Sequence, residues 1–124
     1  MTTPESKSQA LQKRLVTFAS QIIFVSGNLP KTPEAILISK QVLRSGTAVA
    51  ANYGEARAAE SRADFIHKLR VVLKELNETA VWLEIIVESS LISREKLNVT
   101  IAENRELSRI MTASIKTAGG FERG

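Results

Sequence analysis

The sequence predicts an all-α protein, an antiparallel up-down four-helix bundle. Three observations carry that reading. Apolar residues line one side of a helix in four separate segments, with spacings of three and four alternating in the first and third. Helix-start and helix-stop residues bracket those segments. No segment alternates apolar and polar residues as a half-buried strand does.

The first segment runs from about Ser8 to Ser26, with Leu11, Leu15, Phe18, Ile22 and Val25 on one face. Gly27 and Pro30 end it. Thr32-Pro33-Glu34 opens the second: a capping hydroxyl, a proline tolerated in the first turn, and an acid at the positive end of the helix dipole. Ile36, Val42, Val49 and Tyr53 are expected on its buried side. Gly46, Ala50 and Gly54 form a small-residue stripe. Either another backbone approaches there, or the glycines are tolerated in a helix held by its neighbours.

Phe65, Leu69, Val72, Leu76, Thr79, Leu83 and Ile86 form an unbroken heptad-like seam in the third segment. Ser61 with Asp64 resembles a capping box at its start. In the fourth segment Ser93 stands at the cap position, and Ile92 with Leu97 forms a hydrophobic staple. Leu97, Ile101, Asn104, Leu107 or Ser108, Met111 and Ile115 trace its inner side before Gly119-Gly120 ends it. Asn104 is either a buried register-setting amide or an exposed one. Short connections between amphipathic helices give the up-down order, and residues 1–124 read as one domain with polar tails at 1–7 and 119–124.

A 44% hydrophobic share with only 5% aromatics calls for a core of Leu, Ile, Val and Ala. With no cysteine, disulfides and thiolate chemistry are excluded. The N-terminus, MTTPESKSQALQKR, has no apolar core, so a signal peptide is not expected. The stretch VTFASQIIFVSGNLP is too short and too interrupted to span a bilayer. A cytoplasmic setting is the expectation, with no membrane partner.

Catalytic chemistry finds little purchase. His67 is the single histidine, and Asp64-x-x-His67 occurs once, whereas di-iron bundles need two Glu-x-x-His pairs. There is no Walker A loop, no G-x-G-x-x-G and no serine with a second histidine–acid partner. No enzyme, metal or cofactor is expected.

The basic residues say more. The net charge is +4, and cations fall in stripes: Arg105, Arg109 and Lys116 on the fourth helix, His67, Arg70 and Lys74 on the third, and Lys40 with Arg44 on the second. Arg57 and Arg62 flank the corner between helices two and three. Each stripe suits phosphate contacts, and each also suits a solvated helix face. Without interleaved aromatics, contacts to RNA or DNA would address backbone and shape. Glu75 and Glu78 read as structural, paired with bases of a neighbouring helix. Trp82 shares their flank and is expected in the core or at an interface, where it would mark a place for subunits to meet.

The run RSGTAVAANYGEARAAESRADFIHKLRVVLKELNETAVWLEIIVES resembles the small four-helix-bundle proteins encoded within intervening sequences of bacterial large-subunit ribosomal RNA genes. Arg44-Ser45, Asn52 with Glu55 and Arg57, Ser61 with Asp64-Phe65, Lys68-Leu69, and Glu75, Glu78 and Trp82-Leu83 carry the likeness. The resemblance implies a homopentamer. It also implies kinship with the accessory variability proteins of diversity-generating retroelements, pentameric barrels that bind nucleic acid and a reverse transcriptase. It brings no catalytic residues. Asn52, Glu55, Arg57, Glu75, Glu78 and Trp82 are then the expected oligomer contacts, with Arg57 pairing Glu75 or Glu78. The leading expectation is a non-enzymatic oligomer binding structured RNA or DNA, and the alternative is a protein-interaction scaffold.

Overall fold

The computed structural model describes residues 5–121. Four helices account for most of them: α1 Lys7–Gly27, α2 Pro33–Arg57, α3 Arg62–Glu88 and α4 Arg94–Thr117. Three starts carry a side-chain cap. Ser6 and Gln9 close a reciprocal capping box at 3.0 Å in both directions, a signal two residues ahead of the expected start. Thr32 Oγ1 accepts from Ala35 N at 3.3 Å, and Ser61 Oγ accepts from Asp64 N at 3.0 Å. The Ser93 side chain makes no cap bond, so the staple of Ile92 and Leu97, both packed into the core, stands at this helix start without a capping hydroxyl.

Helices α3 and α4 end alike. In each, the residue three past the helix bonds back five positions, Leu91 N to Ile86 O at 3.0 Å and Gly120 N to Ile115 O at 2.8 Å. These are Schellman closures, which need a left-handed residue just after the cap. Gly119 takes that place with φ 91° and Ser90 with φ 58°.

Neighbouring helices run antiparallel, since bonded residue numbers rise on one as they fall on the next. Ser45 meets Thr79 (hydroxyls 2.8 Å apart) while Glu55 meets Lys68 on α2 and α3. On α1 and α2, Gln12 bonds Ala50 O and Ser26 bonds Ser39. On α3 and α4, Asn104 Nδ2 donates to Leu76 O at 3.1 Å and Arg62 Nε to Ala118 O at 2.6 Å. Each helix packs on its chain neighbours, α4 closes weakly on α1, and α2 lies diagonal to α4. The core is the expected aliphatic one, with Leu15, Phe18, Ile22, Leu69, Leu76, Leu83, Ile86, Leu107, Met111 and Ile115 buried.

One expected core residue is outside it. Ile36 is 40% exposed, and Ala35 is buried instead. Ala35 lies seven residues before Val42, two helical turns, and so shares its face. Asn104 is buried and bonded to an α3 carbonyl, the placement a register-setting amide requires.

The small-residue stripe divides. A Cβ on Gly46 would lie 2.6–2.9 Å from Cγ2, Cγ1 and Cβ of Ile22, whereas one on Gly54 would meet only Gln12 Oε1 at 3.4 Å. The close neighbour at Gly46 is thus a side chain, and Gly54 is merely tolerated. Ile22 is β-branched and buried, so it cannot swing away. Gly46→Ala should therefore lose about 1–2 kcal/mol in urea unfolding, overpacking outweighing a helix-propensity gain of at most about 1 kcal/mol. In an Ile22→Ala background the same change should become neutral or stabilising. Equal losses in both backgrounds would refute the contact.

Candidate nucleic-acid interface

The outer seam between α3 and α4 is marked by the bidentate Arg94–Glu84 pair, with bonds of 3.2 and 2.9 Å. From Arg94, eleven-residue steps along α4 reach Arg105 and Lys116. Eleven residues are close to three turns, so these cations share one side of the helix. From Glu84, seven-residue steps back along α3 reach Asn77 and Arg70, again nearly in phase. The Asn104–Leu76 bond sets the level, putting Lys74 level with Arg105 and Arg70 level with Arg109 along the two helices. His67 continues the strip outward, and Arg62 closes it through Ala118 O. His67, Arg70, Lys74, Arg105, Arg109 and Lys116 are all exposed.

Three acids near this strip are turned elsewhere. Glu75 and Glu78 face α2, where both pair with Arg44, the Glu75 bond at 3.2 Å. Glu103 faces α1 and takes two bonds from Arg14, at 2.7 and 2.8 Å. These bonds raise the Arg14 pKa further above its ordinary value. Two acids reach the strip itself: Glu84, paired with Arg94 and close enough to Arg105 to feel its charge, and Glu106, 3.7 Å from Arg109. The α3 and α4 stripes therefore merge into one cationic surface running towards the C-terminal end of α4.

Other candidate residues lie apart from it. Lys40 and Arg44 stand on α2, diagonal to α4. Arg44 is clasped by Glu75 and Glu78, so its charge is already balanced. The expected pairing of Arg57 with Glu75 or Glu78 is corrected by the structure. Arg57 ends α2, thirteen residues beyond Arg44, about 20 Å along the helix. It is exposed and has no ion-pair partner among the described residues.

Most of the residues expected at an oligomer contact are occupied within the protomer. Asn52 Nδ2 bonds Ala48 O of its own helix at 2.9 Å, and Glu55 meets Lys68 at 3.5 Å. Glu75 is only 7% exposed. Trp82 is half-buried, and its Nε1 donates to Glu78 Oε2 at 3.2 Å. This Arg44–Glu75–Glu78–Trp82 clasp bears out the structural reading of the two glutamates.

A second surface had no clear signal in the sequence. A groove of about 460 Å³ opens where α1 meets the α3–α4 turn, floored by Val25, Leu91 and Leu97. Phe24 and Val99 stand at its edges, each 73% exposed. Their positions fall off the core period, and only the weak closure of α4 on α1 explains the opening.

The Glu84–Arg94 pair makes a pH-dependent contribution. Hydrogen bonds from Arg94 hold the Glu84 carboxyl below its ordinary 4.5. A lowered carboxyl stabilises the fold above its unfolded value, and that increment is lost as pH falls through the lowered one. Arg94→Ala should return Glu84 towards 4.5 in an NMR titration and remove this part of the acid-side stability slope. An unmoved titration would show that the pair does not form in solution.

No group of three or more His, Asp or Glu side chains suited to a metal ion occurs among the described residues. No helix among them is long and apolar enough to cross a membrane.

Comparison with known proteins agrees with this architecture. No curated protein matches the chain. A crystal structure from Bacteroides thetaiotaomicron, a protein with unknown function from the S23 ribosomal protein family, is 37% identical, with a TM-score of 0.83. The match covers 90% of this chain and 99% of that one. The family model of the 23S rRNA-intervening sequence protein matches residues 7–113, which takes in all of α1 to α3 and most of α4. With its four helices and these two likenesses, the chain belongs to the 23S rRNA-intervening sequence protein family.

Proposed function

We propose that the protein is a non-catalytic, cytoplasmic, oligomeric bundle that binds structured RNA or DNA through phosphate contacts along the α3–α4 seam. The observation that carries the reading is the merging of two cationic stripes into one exposed strip, with neighbouring carboxylates engaged by Arg14 and Arg44. Cations one or two helical turns apart suit a phosphate backbone, and no aromatic in the strip's helical stripes offers a stacking platform. Self-association, pentameric by resemblance, is supported by the exposed apolar side chains Val16, Ile23, Leu37 and Val81. The scaffold alternative draws on the groove beside Phe24 and Val99.

The test is fluorescence anisotropy with a labelled structured RNA and a matched duplex DNA across a salt series, with subunit number from light scattering. Log affinity falling linearly with log salt supports phosphate contacts, and the slope counts them. No binding at low salt would sink the nucleic-acid reading and leave the scaffold.

A further inference from the structure

We infer that the C-terminal turn, residues 118–121, is a positioning element of the cationic strip, holding the Arg62 and Arg70 guanidinium groups in place before any phosphate arrives; the inference rests on the nucleic-acid reading above. The turn is itself fixed. Gly119 takes the left-handed conformation, and Gly120 N bonds Ile115 O at 2.8 Å. Gly120 is also tucked against the bundle. A Cβ there would collide with Ile115 Cγ2, lie 3.0 Å from Ile66 Cγ2 and 3.2 Å from Ile115 O.

So seated, the turn presents two carbonyls to the first turns of α3. Arg62 Nε donates to Ala118 O at 2.6 Å, and Arg70 Nη2 donates to Gly120 O. The Phe121 ring lies beside the Arg70 guanidinium, 5.9 Å from its centroid to Cζ. A guanidinium has five N–H donors in a rigid fork, and each arginine gives one to the turn. Four remain on each. The tether thus leaves the phosphate-binding edge available while removing much of the rotamer freedom that binding would otherwise have to freeze. Lys74, Arg105 and Lys116 have no hydrogen-bond tether of this kind among the described residues.

Gly120→Ala tests the inference without altering charge, because its new methyl group collides with Ile115 and displaces the turn. A chain ending at Thr117 is the second variant; it loses Glu122 and Arg123 together, so the formal charge is unchanged. Both should keep wild-type helix content by circular dichroism. Binding should weaken roughly five- to ten-fold at every salt concentration. The salt slope should hold, whereas Arg70→Ala should reduce it by about 0.9 on duplex DNA. The tether has its own readout, slow hydrogen exchange at the Arg62 Nε–H in NMR, and both variants should lose it. Wild-type affinity in both variants, or weaker binding with the Arg62 Nε–H still protected, would overturn the inference. A wild-type protein that binds neither probe would remove the nucleic-acid reading and this inference with it, while the exchange data would still show whether the tether exists.

Discussion

Replacing Arg70, Lys74, Arg105 and Arg109 together by Glu is expected to lower nucleic-acid affinity by at least about a hundred-fold at moderate salt, and to flatten the salt slope by about 3 to 4. The size follows from the geometry. These four residues are exposed at matching levels on two adjoining helices, so a phosphate backbone lying along the seam would pass all of them. All four are exposed, and the change should cost the fold little, about 1 kcal/mol, most of it the Arg70 bond to Gly120 O. Lys40→Glu supplies the control. It alters net charge from a helix diagonal to α4 and should move affinity only a few-fold. If the quadruple variant and Lys40→Glu weaken binding in simple proportion to charge, the contact is diffuse and the α3–α4 strip is not its site.

Arg44→Ala is expected to destabilise the protein by about 2–3 kcal/mol in urea unfolding. Glu75 is nearly buried, and Arg44 is its ion-pair partner. Removing the guanidinium strands that carboxylate beside Glu78, which shares the same arginine. Breaking a fully buried pair costs about 3–5 kcal/mol, and the partial exposure of Arg44 reduces that figure. Arg44→Met combined with Glu75→Leu removes both charges and should recover most of the loss, because no desolvated carboxylate remains. Equal losses in the single and double variants would mean that the stranded Glu75 carboxylate is not the source of the loss.

The two predictions draw on different parts of what was legible. The glutamates of α3 read as structural from the sequence, and they are. Their partner did not. Arg57 and Arg44 both lie on α2, thirteen residues apart, and composition cannot choose between them. The antiparallel register chooses Arg44, since α3 runs back along α2 and brings Glu75 and Glu78 level with it. Ile36 shows the same limit at smaller scale. An apolar residue near a helix start looks internal until the helix rotation is known, and that rotation places Ala35 inside. The tether from the C-terminal turn to Arg62 and Arg70 joins residues fifty or more positions apart, beyond any local pattern.

Four helices, most of their starts and the apolar seam of α3 were determined by the sequence alone, because each is written within a turn or two of chain. Hydrophobic period sets the buried face, and caps and left-handed stops set the limits. Which charges share a surface was decided only by tertiary structure. That depends on how far each helix is rotated and slid against its neighbours. Rotation and slide are set by contacts between distant segments: Ile22 under Gly46, Ser45 against Thr79, and Asn104 on the Leu76 carbonyl. Those contacts merge the stripes of α3 and α4, and they turn Arg44 inward to its glutamates.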